Sequence, residues 1–84
     1  MRFTLCAQSK LLTTFDWRKC LKIGPLDNVA EGDQIDLIVL SQDDNTLCTI
    51  CKVPKVLVER EVLSKHKDSI IDYDFETDNF IFCN

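Results

Sequence analysis

Apolar and polar residues alternate with a period of two in several short stretches of this chain and with a helical period in one. Phe3, Leu5 and Ala7 stand against Thr4 and Cys6, a pattern that predicts a half-buried strand over residues 2–7. Residues 14–23 alternate similarly, with Phe15, Trp17, Leu21 and Ile23 on one side and Asp16, Arg18, Cys20 and Lys22 on the other; Lys19 is the exception. A strand is the preferred reading there. A short helix capped by Asp16, burying Trp17, Cys20 and Leu21 and stopped by Gly24 and Pro25, is the competing one.

Residues 24–33 hold both glycines and one proline among polar residues, which predicts a chain-reversing loop. Two β-rich segments follow, 34–40 and 46–53, separated by Ser41, Gln42, Asp43, Asp44 and Asn45 and closed by Pro54, so they read as a hairpin. Leu37, Ile38, Val39 and Leu40 load both faces, as in a central strand covered on both sides. From Val58 the period changes. Val58, Val62, Leu63, His66 and Ile70 share one helical face and Glu61 and Lys65 form an i,i+4 pair on the other, predicting one amphipathic helix of two to three turns. Ile71, Tyr73 and Phe75 then alternate with acids, and after a loop at Thr77, Asp78 and Asn79 the chain returns through Phe80 and Phe82, a closing hairpin. The two hairpins share neither spacing nor pattern, so there is no internal repeat.

Five to six short antiparallel strands with one short helix predict a single α+β domain over residues 1–84, its edges protected by a partly closed, SH3/PUA-like barrel. The stretch from Val29 through Glu31-Gly32-Asp33 to Val39, with a returning strand, resembles the Gly-Asp hairpin of PUA-like and ASCH domains and, less closely, of swapped-hairpin transition regulators. The likeness covers about a quarter of the chain. It implies a small barrel fold and no particular site residue, because the basic and aromatic motifs of those families have no counterpart at matching positions.

Eighty-four residues are enough for one core. Gln8, Ser9 and Lys10 interrupt the N-terminus before an apolar run of signal-peptide length, and the longest wholly apolar run, Leu37 to Leu40, is far below the ~20 residues of a membrane span. A cytoplasmic protein without a membrane role is expected. The five cysteines are odd in number, so reduced thiols are expected, with Cys6, Cys20 and Cys83 acting as small apolar side chains.

Candidate chemistry is sparse. Cys48 and Cys51 have CxxC spacing, but they lie in a strand where residues three apart point to opposite faces, and nothing shows that His66 or Cys83 would complete a ligand set; no metal and no other cofactor is expected, and a metal or redox role ranks last. The run from Asp72 to Asn79 spaces carboxylates like a calcium loop. Thr77 and Cys83, however, stand where that loop requires its glycine and bidentate glutamate. His66 is the only histidine and falls beside the buried helical face, so no nucleophile, phosphate loop or paired acid gives a catalytic constellation.

Charge is unevenly distributed. Residues 68–84 contain five acids and no base, a net −5, whereas residues 1–67 carry a net +1. Asp72, Asp74, Glu76 and Asp78, with Tyr73, are therefore the candidate contacts for a protein partner with a basic surface, which spaced carboxylates would steer into place. The expectation is a non-enzymatic interaction protein that inhibits or modulates a nucleic-acid-handling or other basic protein. By analogy of size and charge, phages and mobile elements encode inhibitors of this kind. The alternative is a small-barrel binder of nucleic acid or a small ligand using Trp17, Arg18, Lys19 and Lys22. A pI near 4.7 opposes direct phosphate binding. Unpaired hairpin edges leave a homodimer open.

Overall fold

The computed structural model describes residues 1–83. It contains seven strands and two helices: β1 (Arg2–Phe3), α1 (Leu5–Thr14), β2 (Cys20–Ile23), β3 (Leu37–Leu40), β4 (Cys48–Lys52), β5 (Lys55–Val58), α2 (Arg60–Lys65), β6 (Ile70–Asp74) and β7 (Asn79–Cys83). They form two mixed sheets, one ordered β1-β6-β7 and the other β3-β2-β5-β4. The α+β class expected from the sequence holds. The all-antiparallel arrangement does not, because β1 runs parallel to β6 and β2 runs parallel to β5.

The N-terminal strand expected over residues 2–7 ends at Phe3, because Thr4 starts a helix. Thr4 Oγ1 accepts the Ala7 N–H at 3.1 Å, and the Thr4 carbonyl accepts the Gln8 N–H at 2.9 Å. Ala7 and Leu11, four residues apart, are then fully buried while Leu5 is 85% exposed. The period-two pattern of Phe3, Leu5 and Ala7 was thus too short to outweigh a capped helix.

Neither reading of residues 14–23 survives whole. α1 runs to Thr14, and Asp16 caps a turn rather than a helix: its carboxylate accepts the Arg18 N–H at 3.0 Å and its carbonyl accepts the Lys19 N–H at 2.9 Å. Only Cys20–Ile23 is strand, with Leu21 and Ile23 buried.

The largest departure is the expected hairpin of residues 34–53. Its two arms, β3 and β4, lie at opposite edges of one sheet, separated by the parallel pair β2 and β5. Two signals fixed strands and a turn without fixing which strands pair. The 41–47 connection crosses the sheet's outer face, since Asp43 bonds Lys55 Nζ and Lys55 shares a β5 face with Leu57. Leu57 is accordingly 1% exposed although it lies outside the main core. β4 instead forms its hairpin with β5 through Val53 and cis Pro54. β3 is an edge strand, with Ile38 45% and Val39 52% exposed, and not the doubly covered strand that its sequence suggested.

α2 has six residues. Val58 belongs to β5 and Ile70 to β6, so the helical periodicity ran across three elements, although Val62 and Leu63 do pack on the core and Glu61 pairs with Lys65 at 3.6 Å. The closing hairpin forms, with Ile71 opposite Phe82 and Tyr73 opposite Phe80, all four buried, but its turn begins at Phe75 and Asn79 belongs to β7 rather than to the loop.

One core lies between the sheets and under α1. At one corner the strand-like segment 33–35 bonds to β7, the Ile35 N–H donating to the Phe80 carbonyl at 2.8 Å, before continuing into β3 of the other sheet. At the opposite corner β1 and β4 approach around a cleft of about 590 Å³ without forming a ladder. No sheet closes into the expected barrel.

Candidate functional site

The acidic candidates all lie on the β6–β7 hairpin, but the fold gives them different duties. Asp72 is half-buried and accepts the Thr4 hydroxyl at 2.6 Å and the Tyr73 N–H at 2.8 Å, so it ties β6 to the start of α1. Asp74 caps the turn, its carboxylate accepting the Glu76 N–H at 3.0 Å and the Thr77 hydroxyl at 3.1 Å. Asp78 adopts φ +58°, a left-handed turn conformation that aspartate tolerates. Its side chain is 78% exposed and lies 3.9 Å from Lys10 Nζ. Glu76 is exposed.

Tyr73 is a core residue, 5% exposed, and not the surface contact that the sequence suggested. Its ring makes edge contacts with Phe80 and with Phe75, at centroid distances of 5.2 and 5.0 Å, and Lys10 Nζ lies 5.0 Å from its centroid.

Phe75 is the residue that sequence reasoning misplaced. Alternation put it inward with Ile71 and Tyr73. β6 instead ends at Asp74, Phe75 opens the turn, and its ring is 71% exposed while braced edge-on against Tyr73. The available signal was Asp74 placed two residues before Glu76, the spacing of a side chain that caps a turn. The hairpin tip therefore combines an oriented exposed aromatic, two solvent-facing acids and a turn fastened by Asp74 and through Lys10.

The second candidate surface is less coherent. Trp17 is 64% exposed. Arg18, however, forms a bidentate pair with Asp16, at 3.1 and 2.9 Å, and Lys22 Nζ lies 3.0 Å from Glu59. The Arg18 guanidinium and N–H hold the Asp16 carboxyl down at about 2, so this acid stays ionised and largely offsets the arginine charge. Lys19 is exposed and has no ion pair among the described residues.

Cys48 and Cys51 were expected on opposite strand faces. A bulge at Ile50 corrects this: Cys48 pairs with Val58 and Cys51 with Val56, two residues apart on β5, so both cysteines face the core. Cys51 is buried, accepts from Gln8 Nε2 at 3.8 Å and donates to the Val53 carbonyl at 3.7 Å. Among the described residues, no three His, Cys, Asp or Glu side chains come together as metal ligands. All five cysteines are free thiols; Cys6 is exposed, unlike the core-side position expected for it. Burial, with help from nearby Asp72 and Glu31, pushes the Cys83 thiol up, the direction opposite to an activated nucleophile. His66 caps α2 and meets Phe82 edge-on at 5.4 Å, at the rim of a cleft of about 870 Å³ between α2 and residues 22–29.

Among the described residues, no helix is long and apolar enough to cross a membrane. Comparison with protein families, curated proteins and solved structures finds no match to this chain.

Proposed function

We propose that this protein is a non-enzymatic binding protein that inhibits or modulates a partner with a basic surface, and that the β6–β7 tip is its contact. The observation that carries the reading is Phe75, 71% exposed on a fastened turn between Asp74, Glu76 and Asp78. Aromatic anchors supply much of the affinity of protein interfaces, while surrounding charges steer encounter and suppress wrong partners. The net −5 of residues 68–84 suits a basic partner surface with an apolar recess for the ring. Glu76 and Asp78 replace Asp72 and Tyr73 as the residues expected to touch it. Asp72 acts inside the fold, and Tyr73 supports Phe75 from beneath.

The test is capture of partners from cells that express the protein, after nuclease treatment, comparing the tagged wild type with Phe75→Ala and with the Glu76→Gln, Asp78→Asn double variant. The expected result is a basic protein retained in stoichiometric amount by the wild type and lost from both variants. Equal retention by all three would sink the reading. Loss of the retained material on nuclease treatment would transfer the function to nucleic acid and to the surface around Trp17 and Lys19.

A further inference from the structure

One edge of β3 has no hydrogen-bond partner among the described residues, and the phase of the sheet says which groups it presents. The Gly24 N–H donates to the directly opposite Asp36 carbonyl at 2.9 Å, so Asp36, Ile38 and Leu40 turn their backbone groups toward β2. The odd-numbered residues turn theirs the other way. At Asp33 and Ile35 that side is occupied by β7, through the Phe82 N–H to Asp33 carbonyl bond at 2.9 Å and the Ile35 N–H to Phe80 carbonyl bond at 2.8 Å. The sheets then diverge, leaving the N–H and C=O of Leu37 and Val39 facing outward. Apart from its shortness, four residues, the strand has none of the usual protections of an edge: Leu37–Leu40 holds no charge, no proline and no bulge.

We propose that β3 pairs antiparallel with β3 of a second copy about a two-fold axis at Ile38, joining the two four-stranded sheets into one. A two-fold axis at Ile38 makes this edge complementary to itself, and the spacing sets the register. The outward groups are two residues apart, so centring on Ile38 brings Leu37 opposite Val39 of the second copy and Val39 opposite its Leu37, with about four main-chain hydrogen bonds satisfied reciprocally. Ile38 meets its own counterpart in the closely spaced pair, where it covers the 45% exposed side chain. Asp36 stands opposite Leu40, so no carboxylate within residues 36–40 faces another, despite the chain's net charge of −4. A four-residue edge buries less than the ~1,200 Å² of a stable interface, which makes this dimer weak and concentration-dependent. The pairing is independent of the hairpin tip.

Sedimentation equilibrium of the full chain up to about 1 mM, combined with amide exchange, tests the proposal. The expected result is a mass rising from 9.7 kDa toward twice that value, with exchange of the Leu37 and Val39 amides slowed about tenfold or more as concentration rises. Val39→Pro removes an N–H that the β2–β3 ladder does not use, and Val39→Lys places a charge in the seam; both variants should stay monomeric with an unchanged circular dichroism spectrum. Val39→Lys leaves φ free and stands as the test if the proline variant does not fold. A wild type monomeric at every concentration, or a dimer that survives Val39→Lys with rapid exchange at Leu37 and Val39, would overturn it.

Discussion

The Thr4 hydroxyl joins two distant parts of the chain, accepting the Ala7 N–H and donating to Asp72. Thr4→Ala removes a helix cap and leaves a half-buried carboxylate one donor short, which should cost about 1–2 kcal/mol in chemical denaturation, whereas Thr4→Ser should recover most of it. Asp16 gives a second prediction at this scale. Its carboxyl is held down at about 2 in the folded chain, below the ordinary 3.8, so the stability it contributes is fully present above about pH 4 and is lost as pH falls through about 2. A carbon-detected NMR titration should find the Asp16 midpoint near that value, and Arg18→Ala should return it toward the ordinary carboxylate range. A midpoint unmoved by the substitution would remove Arg18 as the cause. Neither duty of these residues was legible in the sequence, since a hydroxyl or a carboxylate in a short polar stretch suits a cap, a turn or a solvated face equally well.

Among the elements, α1 separates a sequence pattern from the structure that won. A strand over residues 2–7 would bury Leu5, while the helix buries Leu11 and leaves Leu5 in solvent. Leu11→Ala should therefore lose roughly 2–5 kcal/mol and Leu5→Ala no more than about 0.5 kcal/mol, measured by thermal or denaturant unfolding. Equal losses would contradict the helix. β6 and β7 were legible because their pairing is local: the aromatic alternation of Ile71, Tyr73, Phe80 and Phe82 and the turn between them lie within 14 residues. The β3–β2–β5–β4 order was not, because nothing in Leu37–Leu40 or Cys48–Lys52 encodes that β3 pairs back to β2 and β4 forward to β5 rather than with each other. The Ile50 bulge was equally hidden, and it reversed the relation between Cys48 and Cys51.

For the whole molecule, the sequence conveyed an α+β chain with one acidic end, and the structure places three of its five acids, Asp74, Glu76 and Asp78, at the β6–β7 turn. The core is shared by both sheets and α1, so the hairpin carrying the acids is anchored through Ile71, Tyr73, Phe80 and Phe82 while its tip stays outside. Which carboxylates are available was decided by tertiary contacts that period-two reasoning does not reach: Asp72 turned to Thr4, Asp74 to its own turn, and Glu76 and Asp78 to solvent. The basic candidates divided similarly, with Arg18 and Lys22 paired to acids and Lys19 left exposed.

The claim that the tip is the working surface is tested most directly by NMR. The isotope-labelled full chain would be titrated with the partner recovered by capture, and its backbone amide shifts mapped. Perturbations concentrated on residues 74–79, and abolished by Phe75→Ala in a protein that remains folded, are the predicted result. Perturbations centred on Trp17 to Lys22, with residues 74–79 unmoved, would contradict it.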